Sequence, residues 1–196
     1  MPARLRLHHF EPRSAANGPG LRFVLWLQGC PLGCPGCFNP QTHPAAGGAW
    51  KSIAELTALI RSVEGIEGIT LSGGEPLEQA EALAGLLSHL RAETNLSILL
   101  FSGYTWDEIE RDPLKHRCAA LADVVLAGRY DPNRRLAAGL RGSANKTVHF
   151  ITQRYTQKDL DAVPDAEVWI NATGEVISSG IDPLQWEPNG KSTLAG

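Results

Sequence analysis

Leu21-Arg22-Phe23-Val24-Leu25-Trp26-Leu27-Gln28 runs directly into Gly29-Cys30-Pro31-Leu32-Gly33-Cys34-Pro35-Gly36-Cys37-Phe38-Asn39-Pro40. The first half is almost continuously apolar, the pattern of a strand buried on both faces of a parallel sheet. The second half is broken by glycine and proline every few residues, so it is neither helix nor sheet but a loop. Three of the four cysteines fall in that loop, spaced C-x3-C-x2-C. Three soft thiolates on one short loop suit a metal, either zinc or an iron–sulfur cluster. Cysteines serving as small buried hydrophobes would not gather three to a loop. Disulfides do not account for an odd number, and Cys118 lies far off in a helical pattern. Structural zinc takes four protein ligands; no close fourth is evident, although His43 is six residues on. A cluster held by three thiolates would leave one iron open to a substrate or cofactor.

Working outward, Arg4, Arg6 and His8 alternate with Leu5, Leu7 and His9, which predicts a short edge strand over residues 3–10. Ser52-Ile53-Ala54-Glu55 is a capping box that starts a helix carrying Leu56, Leu59, Ile60 and Val63, with Gly65 as its stop. Strands are predicted over 68–72, 96–101 and 123–127, with helices over 77–91 and from a Thr105 cap through Ile109 and Leu114, interrupted at Pro113. Residues 128–146 read as a long irregular, arginine-rich stretch. Further strands fall at 148–151 and 167–170, and Asn171-Ala172-Thr173-Gly174 reads as a hairpin turn into 175–178. The chain from about Pro188 reads as frayed.

Alternating strands and helices argue an α/β fold with a parallel sheet and right-handed crossovers. A full eight-fold barrel needs roughly 250 residues, more than the 196 here, so a partial, open parallel β/α barrel is expected, as one domain. Ligands in such sheets bind at the carboxyl ends of the strands. Three candidate motifs lie at such ends: the cysteines, Gly73-Gly74-Glu75-Pro76, and Ser102-Gly103-Tyr104. The paired glycines let backbone approach a ligand closely, although a plain strand–helix turn would look the same. Thr105 caps a helix in either case.

Composition is ordinary for a globular chain, at 43% apolar and 20% charged with a net charge of −3. No basic block supports binding to nucleic acid or to a membrane surface. No apolar run reaches the length of a signal peptide or a membrane span. Reduced thiols fit the cytoplasm.

The three-cysteine loop after an apolar strand resembles the radical S-adenosylmethionine (SAM) enzymes. That resemblance implies that Cys30, Cys34 and Cys37 hold a [4Fe-4S] cluster whose fourth iron is chelated by SAM. The wider spelling, Asn17-Gly18-Pro19-Gly20-Leu21-Arg22, Gln28-Gly29-Cys30-Pro31 and Cys34-Pro35-Gly36-Cys37-Phe38-Asn39-Pro40, is similar to the activating proteins of anaerobic ribonucleotide reductase. Most radical SAM loops carry an aromatic residue just before the third cysteine. Here Gly36 takes that place and Phe38 follows, a variant shared by the activating branch. The resemblance implies cofactor contacts by Gly73, Gly74, Ser102, Phe38 and Asn145, with Glu75 as an anchor or a partner for the SAM ammonium. It implies reductive cleavage of SAM to a 5′-deoxyadenosyl radical that takes hydrogen from a glycine of a partner glycyl-radical enzyme. A low-potential donor of flavodoxin or ferredoxin type would supply the electron. A small radical SAM enzyme acting on a small molecule or peptide stays open, as does a non-catalytic zinc- or cluster-binding module.

Some positions depart from the branch. Ala127 stands where it often carries aspartate, and Gly142-Ser143-Ala144-Asn145-Lys146 resembles Gly-Ser-Ser-Asn-Gln with Ala144 and Lys146 changed. Asp123 reads equally as a strand-start residue. Arg134, Arg135 and Arg141 read as a solvated loop, and Cys118 as helix packing. No general base or nucleophile stands out.

Overall fold

The apolar run ahead of the cysteines is a strand whose Phe23, Val24, Leu25 and Leu27 have no solvent contact. The computed structural model describes residues 3–170, 173, 174 and 176–182. In chain order its elements are β1 (Arg4–Ser14), β2 (Arg22–Leu27), β3 (Ala49–Ser52), α1 (Ile53–Arg61), β4 (Gly68–Gly73), α2 (Ala80–Glu93), β5 (Ser97–Phe101), α3 (Trp106–Arg111), α4 (Pro113–Ala119), β6 (Val124–Ala127), β7 (Arg135–Ala138), β8 (Arg141–Ser143), β9 (Thr147–Phe150), α5 (Gln157–Asp161), β10 (Ala166–Ile170) and β11 (Val176–Gly180).

Among the described residues one sheet has seven strands, in the order β3-β1-β2-β4-β5-β6-β9. Its centre is parallel: β2, β4, β5 and β6 run the same way. The flanks are antiparallel, with β1 against β2 and β3, and β9 against β6. The fold is thus α/β with a mostly parallel central sheet. Parallel neighbours need crossovers, and α1, α2 and the α3–α4 pair supply them.

Strand periodicity divides the core in two. Phe23, Leu25 and Leu27 of β2, Ile69 and Leu71 of β4, Ile98 and Leu100 of β5, and Val125 and Ala127 of β6 pack under α1, α2 and α4. The intervening residues face the other way. There Leu99, Val124 and Leu126 meet Tyr155, Leu160 and Val163 around α5. Arg22, at the start of β2, is wholly buried among this second set. Its guanidinium reaches Thr70 Oγ1 at 2.7 Å, Ser97 Oγ at 2.9 Å, and the carbonyls of Pro19 and Ile69 at 3.0 and 2.6 Å. A buried cation with so many acceptors fastens the glycine–proline turn before β2 to β4 and β5.

Local chemistry explains the helix starts. Ser52 and Thr105 each form reciprocal capping boxes, with Glu55 and Glu108. Pro113 does not merely interrupt a helix. It takes the first turn of α4, where a missing N–H costs nothing, while Asp112 caps from outside. Pro76 likewise opens a 3-10 turn, Pro76–Gln79, so regular α2 begins only at Ala80.

Three expectations are corrected. The first strand is not at the edge: β1 is paired on both sides and runs to Ser14, and the edge is β3. Alternation reports which face is wet, not how many neighbours a strand has, and β3 is only four residues long behind Gly47-Gly48. Residues 128–146 are not irregular throughout, since they hold a 3-10 turn at Pro132–Arg134 and the β7–β8 hairpin. The short helix α5 was unforeseen, although Thr156-x-x-Asp159 is a capping box. The antiparallel pairing of β10 with β11 agrees with a hairpin. Asn171, Ala172 and Glu175 of its turn, and the tail from Pro188, lie outside the described residues. No helix of the described residues is long and apolar enough to cross a membrane.

Candidate cluster and cofactor site

The cysteine loop is closed at its base by backbone. Gly29 N–H donates to the Thr42 carbonyl at 2.8 Å and Cys30 N–H to the His43 carbonyl at 3.0 Å. Inside, Cys37 N–H returns to the Cys34 carbonyl at 3.2 Å, and Pro40–Thr42 makes one 3-10 turn. The Gln28 side chain holds the far limb, donating to Thr42 and Pro44 carbonyls at 3.2 and 2.7 Å while its oxygen meets His8 Nδ1 at 3.0 Å. A loop with no regular structure is thereby fixed at both limbs.

Cys30, Cys34 and Cys37 all line one cavity of about 370 Å³, and all three are half-buried. Burial pushes the Cys30 and Cys37 thiols up. Backbone N–H groups oppose this, from Leu32 and Gly33 at Cys30 and from Asn39, 3.5 Å from the sulfur, at Cys37. Such donors favour the thiolate, the form a metal needs. Among the described residues no three His, Cys, Asp or Glu side chains are grouped closely enough to hold one metal ion. The donor set, three thiols lining one cavity, fits a four-iron cluster, whose separate irons each take one thiolate. His43 lines the same cavity.

The turn after β4 is built around Glu75. Its side chain is 1% exposed. Its carboxylate accepts from Leu77 N–H at 3.0 Å, Ser102 Oγ at 2.9 Å and Gly103 N–H at 2.6 Å. Its own N–H donates to the Gly29 carbonyl at 2.9 Å. One residue therefore joins the carboxyl ends of β2, β4 and β5. Burial pushes the carboxyl up to about 7, against those three donors, which favour the charged form. Its oxygens thus tie the turn after β4 to the turn after β5.

The paired glycines have a use that the sequence did not disclose. A Cβ on Gly73, at φ 101°, would stand 2.5 Å from Leu27 N, and one on Gly74 would strike the Gly29 carbonyl. They let the β4 turn lie against the start of the cysteine loop, backbone on backbone. Gly103 is confined similarly by Leu32.

Ser102 is buried and lines the cavity, but its hydroxyl is spent on Glu75 and accepts from Tyr104 N–H at 3.0 Å. Phe38 lines the cavity beside Tyr130, their ring centroids 4.7 Å apart. Asn145 is not among the lining residues; its amide donates to the Arg129 carbonyl at 2.8 Å. Its neighbour Lys146 lines the cavity instead, half-buried, with Nζ donating to the Gly128 carbonyl. The opposite wall comes from Trp26 and His9, with Trp169 and Ile177 of the β10–β11 hairpin. The hairpin docks through Glu167, which accepts from Ser14 Oγ and, at 2.8 Å, from Ala15 N–H. Of these, Trp26 was foreseeable as the large residue on the second face of β2; the hairpin carried no signal for a wall.

Asp123, Arg135 and Cys118 are not among the residues that line the cavity. Burial works against a charged Asp123, but Thr152, Ile98 N–H and Arg91 outweigh it and its pKa falls. Arg135 is paired with Asp182, and Cys118 is wholly buried on α4, its thiol pushed up to about 12 by burial.

The 4Fe-4S single cluster domain matches residues 16–149, from the turn before β2 to the middle of β9. The chain is 34% identical to the anaerobic ribonucleoside-triphosphate reductase-activating protein of Enterobacteria phage T4, over 69% of this chain and 87% of that one. It is 31% identical to the protein of the same name from Salmonella typhi, over 75% and 99%. It is 35% identical to a pyruvate formate-lyase-activating enzyme of Clostridium pasteurianum, over 61% and 52%. Among solved structures, QueE from Escherichia coli overlays at a TM-score of 0.45 and 18% identity, over 52% of this chain and 53% of that one. With matches that extend from the glycine–proline turn through all four parallel strands, the chain belongs to the 4Fe-4S single-cluster-domain family and to the anaerobic ribonucleoside-triphosphate reductase-activating proteins.

Proposed function

We propose that the chain is a radical SAM activating enzyme that takes a hydrogen atom from a glycine of a partner glycyl-radical enzyme, anaerobic ribonucleotide reductase being the fitting partner. The observation that carries this is the set of three thiols opening onto one cavity at the carboxyl ends of β2, β4 and β5. The family membership and the names of the relatives support the same reading.

Cys30, Cys34 and Cys37 would hold a [4Fe-4S] cluster. The chemistry such a cluster supplies, once reduced and with SAM bound, is one-electron cleavage of the sulfonium C–S bond to methionine and a 5′-deoxyadenosyl radical that accepts the glycine hydrogen. The protein's own task is to place groups. Gly73 and Gly74 present bare peptide backbone beside the thiols. Glu75 and Ser102 hold that backbone to β5, and through Gly29 to the cysteine loop. Phe38 offers an aromatic face at the cavity edge, and Asn145 acts through the Arg129 carbonyl. The cavity volume lies within the range of about 300–1,000 Å³ usual for ligand sites.

The consecutive neighbours β2, β4, β5 and β6 support a partial, open parallel barrel. We assign the electron to a donor of flavodoxin or ferredoxin type, and the protein to the cytoplasm. Anaerobic reconstitution with iron and sulfide, reduction by dithionite, and assay of 5′-deoxyadenosine with the partner reductase present tests the proposal. Appearance of a glycyl radical on the partner supports it. Uptake of zinc in place of iron and sulfide, with no SAM cleavage, overturns it.

A further inference from the structure

Lys146 is, among the described residues, the only lysine or arginine that lines the cavity. It sits in the turn between β8 and β9, where its N–H donates to the Ser143 carbonyl at 3.2 Å. Its Nζ is fastened to the Gly128 carbonyl at the end of β6. One of three ammonium donors is used there; burial pushes the ammonium pKa down, against the attraction of Glu75 first and then of Cys34 and Cys37. The contact with Gly128 is close along the stem as well: a Cβ on that glycine would stand 3.4 Å from Lys146 Cα and 3.7 Å from Cγ. The lysine is therefore held at the cavity wall rather than waving in solvent.

We propose that the Lys146 ammonium is a positioning charge that makes a cluster held by Cys30, Cys34 and Cys37 easier to reduce. The proposal rests on the reading of the cysteine loop as a four-iron site. Three thiolates give such a site net negative charge, and reduction adds one electron, taken from a low-potential one-electron donor, to it. No bond forms or breaks at Lys146, and its proton stays in place. A neighbouring positive charge favours the reduced over the oxidised site, and net charge is one of the protein's levers on cluster potential. The half-buried position weakens solvent screening of that attraction. Glu75 draws on the same ammonium and offsets part of this attraction, while its oxygens are held by Leu77, Ser102 and Gly103.

The test is a potentiometric titration of the anaerobically reconstituted protein, followed by the electron paramagnetic resonance of the reduced cluster, without SAM. Lys146→Gln, one atom shorter, keeps an N–H donor but removes the charge; Lys146→Met removes both; Lys146→Arg keeps the charge. The neutral variants are expected to have potentials lower by about 59 mV or more, a tenfold lower ratio of reduced to oxidised cluster at fixed potential. Lys146→Arg is expected to stay with the wild type. An unchanged potential in both neutral variants overturns the proposal, as does a fall in Lys146→Arg as large as in Lys146→Gln. Failure of the wild type itself to take up a reducible four-iron cluster overturns instead the reading of the loop on which it rests.

Discussion

The Ser102 hydroxyl donates to Glu75 Oε1 at 2.9 Å, locking the turn after β5 to the turn after β4 through a carboxylate that water does not reach. Replacing Glu75 with glutamine leaves a group of the same size. One oxygen becomes an NH2, however, and faces donors where acceptors are needed. The cost of leaving buried donors unpaired is about 1–3 kcal/mol. Urea denaturation of Glu75→Gln should show a lower midpoint with an unchanged slope; wild-type stability in the variant would mean that the carboxylate is not the joint.

The same carboxyl sets a pH dependence. Its folded pKa is raised from 4.5 to about 7 by burial, so the folded state keeps a proton that the unfolded chain gives up. Its contribution is fully present below about pH 4.5 and drains away as pH rises through about 7, by up to about 3 kcal/mol. The difference in unfolding free energy between wild type and Glu75→Gln should shift against the wild type from pH 4.5 to 7 and level off above. A flat difference would mean that the three donors keep Glu75 ionised throughout.

Glycines of the site should divide by surroundings. A Cβ on Gly74 would lie 2.9 Å from the Gly29 carbonyl carbon and 3.1 Å from the Thr42 oxygen, both backbone atoms that cannot step aside alone. Gly74→Ala should destabilise by several kcal/mol, or part the two turns. Gly33, at φ 56°, has nothing within 4 Å of such a Cβ. Gly33→Ala should cost only its left-handed backbone, about 1–2 kcal/mol. Thermal melts of the two variants side by side measure the contrast.

The cysteines should divide as well. Cys34→Ala should abolish iron uptake and SAM cleavage together while leaving the fold's melting temperature near wild type. Cys118→Ala should do the reverse, keeping the cluster and losing about 1–2 kcal/mol from the core through the space it opens. Iron and sulfide analysis with calorimetry on both proteins decides it; retained SAM cleavage in Cys34→Ala would exclude that thiol as a ligand.

Arg22 belongs to stability. Arg22→Met strands Thr70, Ser97 and two carbonyls without their donor. A loss of about 1–3 kcal/mol for a buried acceptor left unpaired is expected, read as a lower denaturant midpoint.

Much of this was legible because it is local. The Ser52 and Thr105 caps, the apolar run of β2 and the punctuation of the cysteine loop each declare themselves within a few residues. So does the placing of three motifs at strand ends. What stayed hidden depends on distant partners. Nothing near Glu75 says that its oxygens reach Ser102 and Gly103, more than twenty-five residues on. Gly73 and Gly74 read as ligand-facing, and nothing near them tells of their second neighbour, the Gly29–Leu27 backbone forty-odd residues away. Asn145 and Lys146 are adjacent, and only the direction of the β8–β9 turn decides that the lysine meets the cavity.

The docking of the β10–β11 hairpin has a consequence for how the molecule is made. Glu167 holds Ser14 and Ala15, and Ser179 takes the Asn17 amide at 2.7 Å, across 162 residues of chain. Synthesis is vectorial, so the N-terminal segment emerges first and must wait for nearly the last described strand before these bonds can form. Trp169 and Ile177 arrive with the two strands of that hairpin. The wall they contribute is therefore the last part of the cavity to be raised, and until then the thiols stand in an open trough. A ribosome-bound chain is in this sense built with its reactive end unroofed.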